Sequence, residues 1–413
     1  MTAFPQHNAS VADWADWRWQ MRHRVRDLAT LERYIRPTDS EREAVDRTAG
    51  LFRWSITPYY ASLMDALDPD CPVRQQVVPQ RWELEPDIVG VVDPLDEVGH
   101  SPVKNLIHNY DDRVAFCVTS ECGIYCRYCL RKRMVGDSAW MMRKDELRAA
   151  IAYIAEHPSI RDVLLTGGDP LVFADKQLAW LLGELRAIRH VEVIRLGSRL
   201  PVVNPFRITD DLCDLLRAHH PIWLNTHYNH PRELTYEARE ACAKLAEAGV
   251  PVGNQTVLLG GINDDLATMK ALSEGLVAMR VRPYYIYQAQ LIGGTAHLRT
   301  PIETGMALMR GLRGHTSGFA VPTYVLDTPD GKVPLTRDYV LGRAGDHVVM
   351  ETTRGTLWAE PNPIPDGYDL PLTLPAIDLP PEAKTVPTGA PTFVPVPEGY
   401  ADVSSSVACA NAT

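Results

Sequence analysis

The chain has 413 residues, 45% of them hydrophobic and 23% charged, and a formal net charge of −10. That length and apolar fraction suit one barrel-sized core with additions better than several small modules. The negative balance offers no basic face for nucleic acid, and no apolar run is long enough to span a bilayer, so a small-molecule ligand is the default expectation.

The start, MTAFPQHNASVADWADW, lacks a basic region followed by an apolar stretch. A cytoplasmic location with reduced thiols is therefore expected. Residues 1–97 carry Trp, Arg, Leu and Glu at helical spacing, as between Ser40 and Phe52, and read as a helical N-terminal region. Across 98–320 the pattern changes to six short apolar or β-branched runs separated by amphipathic stretches: RVAFCVT, DVLLTGG, VEVIRLG, PIWLNTH, VPVGNQTVLL and VRPYYIYQ. Six such units predict an α/β fold, a partial (β/α)6 TIM-like barrel. The segment 321–360 opens with PTYVLDTPDGK, a strand entering a tight turn at Asp330-Gly331, and is expected to close over the barrel mouth. Eleven prolines between Pro361 and Pro397 predict an extended tail over 361–413, wrapping the body or a partner or partly disordered.

Within this frame the run CGIYCRYC, with Cys122, Cys126 and Cys129, carries the most chemistry. Thiolates at this spacing can hold three corners of a cubic iron-sulfur cluster and leave the fourth iron open to a small molecule. Zinc with a remote fourth ligand is the competing reading, although no CxxC pair elsewhere completes such a site. Cys71, Cys117, Cys213, Cys242 and Cys409 are scattered singly and read as ordinary thiols.

Other polar groups fall at the predicted strand ends, where a parallel barrel places its active site: Gly167-Gly168-Asp169, Arg195, Asn225 with His227, Gln255, and Tyr287 with Gln290. The Gly-Gly-Asp turn lets a ligand approach the backbone and, with the cysteine loop, suggests S-adenosylmethionine chelating the open iron. By itself it marks a loop as readily as a binding site. Arg131, Lys132 and Arg133 read either as a solvated basic turn or as a source of one inward guanidinium, Arg131, for a substrate carboxylate. Lys332, after an apolar strand, reads as a surface lysine or as an amine forming an imine with an aldehyde cofactor. His227 reads as a structural histidine or a cofactor contact.

The motifs CGIYCRYCLRKR, LLTGGDPL, WLNTHYNHP, VPVGNQTVLLGGIND, RVRPYYIYQ and LRGHTSGFAVPTYVLDTPDGK together resemble the lysine 2,3-aminomutases, from about Trp14 to Glu360. The resemblance implies a radical S-adenosylmethionine isomerase that uses pyridoxal 5'-phosphate to carry a migrating amino group. It implies Cys122, Cys126 and Cys129 as [4Fe-4S] ligands, and Tyr128, Gly167, Gly168, Asp169, His227 and Gln255 around S-adenosylmethionine. It further implies Lys332 as the imine-forming lysine and Arg113 as a cation near pyridoxal phosphate; Tyr287, at its predicted strand end, is a second catalytic candidate. Arg131 would pair with the substrate carboxylate, and Asp327 with the distant substrate cation. A homo-oligomer and an electron donor such as flavodoxin or ferredoxin follow from the same likeness.

Three departures matter. The family pattern YIYxCDL reads YIYQAQL, which places Gln290 where a second carboxylate is expected. One carboxylate and one amide oxygen suit a planar guanidinium better than a compact ammonium, so L-arginine is expected ahead of L-lysine, and glutamate last. Asn109 replaces a family arginine near the cofactor phosphate, and the glycine-rich approach to the lysine is shortened to PDGK. The tail has a single cysteine, Cys409, so no structural zinc is expected there. The rival readings are a mutase acting on a protein-bound lysine and a non-catalytic iron-sulfur or zinc protein.

Overall fold

The computed structural model describes residues 9–48, 53–84 and 90–386. Its core is a nine-stranded sheet in strict chain order. The strands are β1 (Leu106–Tyr110), β2 (Arg113–Thr119), β3 (Asp162–Gly167), β4 (Val193–Gly197), β5 (Ile222–Thr226), β6 (Val252–Leu258), β7 (Val281–Gln288), β8 (Thr323–Thr328) and β9 (Gly331–Pro334). Strands β2 to β8 are parallel, while β1 and β9 add antiparallel at either end.

Six helices follow β2 to β7 in turn: Lys144–Glu156, Asp175–Arg186, Asp210–Arg217, Tyr236–Glu247, Leu266–Ala278 and Ile302–Leu312. Their starts are set by local chemistry: the side chains of Thr209, Thr235 and Asp265 accept from the backbone N–H groups of Leu212, Ala238 and Thr268. The apolar stripe Leu178, Leu181, Leu182 and Leu185 recurs at helical spacing and is wholly buried against the sheet. Strand residues facing the helices, such as Val163, Leu165, Ile194, Leu196, Ile222 and Leu224, are likewise buried. Residues on the opposite face, including Thr166, Arg195, Asn225, Gln255, Val257, Tyr285 and Tyr287, are only partly buried, so the sheet encloses an open lumen.

The six predicted units are all present, but the count of six parallel strands is corrected to seven. PTYVLDT pairs along β7 as a further parallel member, because strand character is local whereas the choice of neighbour is made by tertiary contacts. The sheet's two ends approach one another without a ladder: Asn109 Nδ2 donates to the Pro329 carbonyl at 2.9 Å, and the Lys332 N–H donates to the Tyr110 hydroxyl at 2.9 Å.

Short helices, among them Val11–Ala15, Trp17–Arg22 and Asp39–Thr48, precede the sheet. After it, β10 (Val340–Ala344), β11 (His347–Glu351) and β12 (Leu357–Pro361) form an antiparallel sheet, and β13 (Lys384–Thr385) pairs parallel to β12. The proline-rich stretch up to residue 386 has little regular structure beyond β13 and a bridge from Ala376 to Arg343. The remainder of the tail, with Cys409, lies outside the described residues.

Candidate active site

The cysteine loop leaves the end of β2 and is fastened at its root by the Gly-Gly-Asp turn after β3. The Gly168 N–H donates to Thr119 O at 2.6 Å and the Asp169 N–H to Glu121 O at 2.8 Å. Gly167 sits at φ +103°, and a Cβ there would lie 2.7 Å from Thr119 O; one on Gly168 would run into the Glu121 carbonyl. The two glycines thus admit the cysteine-loop backbone. Asp169 is buried, accepting from Leu171 N through one oxygen and from Ser198 Oγ and the backbone N–H groups of Arg199 and Leu200 through the other. Burial raises its pKa to about 6 despite those bonds.

The basic run beyond the cysteines is not solvated. Glu83, fully buried, accepts from Arg127 Nε at 2.8 Å and from Lys132 Nζ at 2.9 Å. Burial alone would raise the Glu83 pKa, but the two cations outweigh it and hold it at about 2. Arg131 forks onto Glu97 through Nε at 3.0 Å and Nη2 at 2.7 Å, and Arg133 Nη2 reaches the other Glu97 oxygen at 2.6 Å. The third Arg131 donor group, Nη1, points towards Thr166 Oγ1 at 3.4 Å, on the lumen side of β3.

Cys126 Sγ accepts from Arg199 Nη1 at 2.8 Å. Arg199 is in turn held by Tyr128 OH at 2.7 Å, Gln76 Oε1 at 2.5 Å and Glu233 Oε1 at 2.8 Å, while its Nε is buried without a partner. Tyr128 OH also meets His227 Nε2 at 2.8 Å. The other ring nitrogen, Nδ1, contacts the Gln255 carbonyl, and burial with the nearby Arg199 charge lowers the His227 pKa to about 3. The imidazole is therefore neutral, its Nδ1–H donating and its Nε2 accepting. Tyr128, His227 and Gln255 are brought together in this way beside the cysteine loop.

Among the described residues, no three His, Cys, Asp or Glu side chains stand together as a metal-binding group, Cys126 being turned onto Arg199. The donor chemistry nevertheless fits a cluster. The three thiols share eight residues, and burial raises the Cys122 pKa, as do the charges of Asp169, Cys129 and Cys126 in turn. Cys129 is pushed up to about 11 by burial and by Cys126. Three soft sulfur donors on one short loop suit iron, and a bound cation would offset the burial and mutual repulsion that otherwise keep these thiols protonated.

The second half of the site is the β8–β9 hairpin. Asp327 and Lys332 are cross-strand partners, and Lys332 Nζ bonds Asp327 Oδ1 at 2.6 Å and lies 5.2 Å from the Tyr287 ring centroid. Burial pulls the Lys332 pKa down, but Asp327 and Tyr287 outweigh it and leave the ammonium favoured. Gln290 Nε2 donates to the Asp327 backbone oxygen at 2.9 Å. Arg113 lies 3.8 Å over the Tyr110 ring, whose hydroxyl takes the Lys332 N–H, and pairs with Asp112. A partly exposed primary amine beside the phenol rings of Tyr287 and Tyr110, with Arg113 stacked on the latter, fits an aldehyde cofactor bearing a phosphate.

Arg195 is placed elsewhere in the lumen, bonded to Asp162 at 2.7 Å. Sequence reading missed Arg199, Glu233, Gln76, Glu83 and Glu97. Of these only Arg199, just past the end of β4, carries a readable signal, its strand-end address.

Comparison with known proteins gives a match to the radical SAM superfamily over residues 116–272 and to a C-terminal model described as lysine-2,3-aminomutase over residues 309–375. The chain is 49% identical over 358 residues to the L-lysine 2,3-aminomutase of Fusobacterium nucleatum, covering 86% of this chain and 84% of that protein. It is 51% identical over 352 residues to the L-lysine 2,3-aminomutase of Bacillus subtilis, covering 85% and 75%. It is 43% identical over 350 residues to the glutamate 2,3-aminomutase of Clostridioides difficile, covering 84% and 83%.

Proposed function

The chain belongs to the lysine 2,3-aminomutase family of radical S-adenosylmethionine enzymes, and from that premise we propose that it moves the α-amino group of L-arginine, ahead of L-lysine, from C2 to C3 with pyridoxal 5'-phosphate as the amino carrier. Family membership makes it an isomerase of the lysine/glutamate 2,3-aminomutase type whose cofactors are a [4Fe-4S] cluster and S-adenosylmethionine. When bound, these supply a radical able to take hydrogen from an unactivated carbon, and pyridoxal phosphate supplies an imine nitrogen able to pass between neighbouring carbons.

Cys122, Cys126 and Cys129 hold the cluster in this reading, and Tyr128, Gly167, Gly168, Asp169, His227 and Gln255 surround S-adenosylmethionine. Lys332 receives the aldehyde, with Tyr287 packed beneath its amine, and Arg113 faces the phosphate. Arg131, fixed on two donors by Glu97, presents its remaining Nη1 to the substrate carboxylate. Neutral His227 accepts a proton-bearing partner but adds no positive charge beside the cationic S-adenosylmethionine. The lumen walls exclude water and stray hydrogen donors from the reacting carbons. An external one-electron donor such as flavodoxin or ferredoxin, a homo-oligomeric state and a cytoplasmic location complete the proposal. Among the described residues no helix is long and apolar enough to cross a membrane.

The observation that carries the choice of arginine is the bond from Gln290 Nε2 to the Asp327 backbone. It sets a neutral amide beside a single carboxylate, and a guanidinium can divide its donors between the two. A side-chain carboxylate would meet Asp327 repulsively, which disfavours glutamate. The test is the ratio of β-arginine to β-lysine formed from an equimolar mixture. Gln290→Asp should move it towards β-lysine, and an unchanged ratio would refute the pocket assignment.

A further inference from the structure

The turn between β11 and β12 contacts the end of β1 beside the catalytic hairpin. Arg354, on that turn, donates from Nη2 to Asn109 Oδ1 at 2.8 Å and to the Asn109 backbone carbonyl. Asn109 is the position at which a family arginine is absent. The same asparagine donates to Pro329 O, so Arg354 is tied to the seam that holds Lys332. Its neighbour Thr353 places Oγ1 3.4 Å from where a Cβ on Gly331 would stand, one residue before Lys332.

We propose that Arg354 and Arg113 together form the phosphate-binding end of the cofactor pocket, the guanidinium missing at position 109 being delivered from the β11–β12 turn. This rests on the reading that pyridoxal phosphate condenses with Lys332. In that molecule the aldehyde and the phosphomethyl group occupy adjacent ring carbons, so the phosphate must sit close to the lysine that takes the aldehyde. The cations near the hairpin differ in what already engages them. Lys384 is paired with Asp330 and Arg113 with Asp112, whereas Arg354 forms no ion pair among the described residues, Asp330 lying near enough only for the two charges to be felt. Its Nη2 is held by the two neutral oxygens of Asn109, which orient the guanidinium without forming an ion pair. A planar fork so held suits a phosphate, which accepts parallel N–H bonds. Tyr110 lies under Arg113 and its hydroxyl accepts the backbone N–H of Lys332, so Arg113 and the backbone that carries the amine share one support.

The experiment compares pyridoxal phosphate with pyridoxal, which has the aldehyde but no phosphate. Full-length protein freed of cofactor is titrated with each, following the absorbance of the lysine–aldehyde adduct, with Lys332→Ala as the blank. Arg354→Gln should weaken pyridoxal phosphate by roughly ten- to a hundredfold and leave pyridoxal unchanged, as expected for loss of a charge-assisted bond. Arg354→Lys should recover part of the loss. Equal weakening of both aldehydes, or none of either, would overturn the assignment and leave Arg354 as a seam contact. A wild type giving the same spectrum as Lys332→Ala would instead refute the underlying reading, and the proposal with it.

Discussion

Glu83 lies 44 residues before Arg127 and 49 before Lys132, yet it is what neutralises the cysteine loop. Its pKa falls from 4.5 to about 2, which corresponds to about 3 kcal/mol of folded-state preference for the carboxylate. A depressed carboxylate contributes that stability fully above pH 4.5 and loses it as the pH falls through 2; about 2 kcal/mol should be gone by pH 3. Glu83→Gln keeps the shape and one acceptor oxygen but leaves two buried cations facing no carboxylate, a change that costs about 3–5 kcal/mol at pH 7. Urea unfolding of the metal-free chain measures this directly. Wild type and variant should differ by that amount at pH 7 and by about 2 kcal/mol less at pH 3. Because Arg127 and Lys132 bracket Cys129, iron bound per chain after anaerobic reconstitution should fall as well. A loss below about 1 kcal/mol at pH 7, the scale of an exposed pair, or a gap that does not narrow in acid, would refute the claim that Glu83 anchors the loop by charge.

Two further substitutions probe the two halves of the site. Gly168→Ala forces a Cβ into the Glu121 carbonyl and should cost about 1–3 kcal/mol and lower iron loading, whereas Gly183→Ala, whose Cβ meets nothing within 4 Å in mid-helix, should stabilise by about 0.5–1 kcal/mol. Thermal unfolding of both variants with iron analysis checks this, and equal behaviour would show that the turn tolerates a side chain. Asp327→Asn removes the charge that holds Lys332 protonated, so the pH midpoint for adduct formation with pyridoxal phosphate should move down while the KM for a cationic substrate rises. An unmoved midpoint would mean that Asp327 does not govern the amine.

The six strands from RVAFCVT to VRPYYIYQ were legible because each is a short apolar run flanked by turn residues, and the helices between them announce themselves by period and cap. The strand PTYVLDT was equally legible as a strand, but its parallel place beside β7 was not, since nothing in a strand's own residues records its neighbour. The β10–β12 sheet carried readable turn signals in Ala344-Gly345-Asp346 and Thr353-Arg354-Gly355, which were subsumed into a closing segment. In the site, the Gly-Gly-Asp turn reads from sequence as a place where a ligand can approach the backbone. That the loop backbone fills it depends on long-range packing. The run Arg131-Lys132-Arg133 could be read as solvated because its carboxylates, Glu83 and Glu97, come from outside the local window.

The location of the sheet's gap bears on how the two halves cooperate. Around the ring from β1 to β9 each strand is joined to the next by a backbone ladder, and only between β1 and the hairpin are there two isolated bonds, Asn109 to Pro329 and Tyr110 to Lys332. At about 1 kcal/mol each, these hold the hairpin to β1 far more weakly than the ladder that holds β8 to β7. Lys332 on β9 and Asp327 on β8 face one another across the hairpin's own ladder, so the two stay together. Under the proposed function, engagement of the Lys332 amine by an aldehyde would release Asp327, leaving its carboxylate available to a substrate cation. Asp327, the one carboxylate of the proposed substrate pocket, is thus the group that engages the unreacted lysine, and under that proposal cofactor loading would precede recognition of the distal end of the substrate.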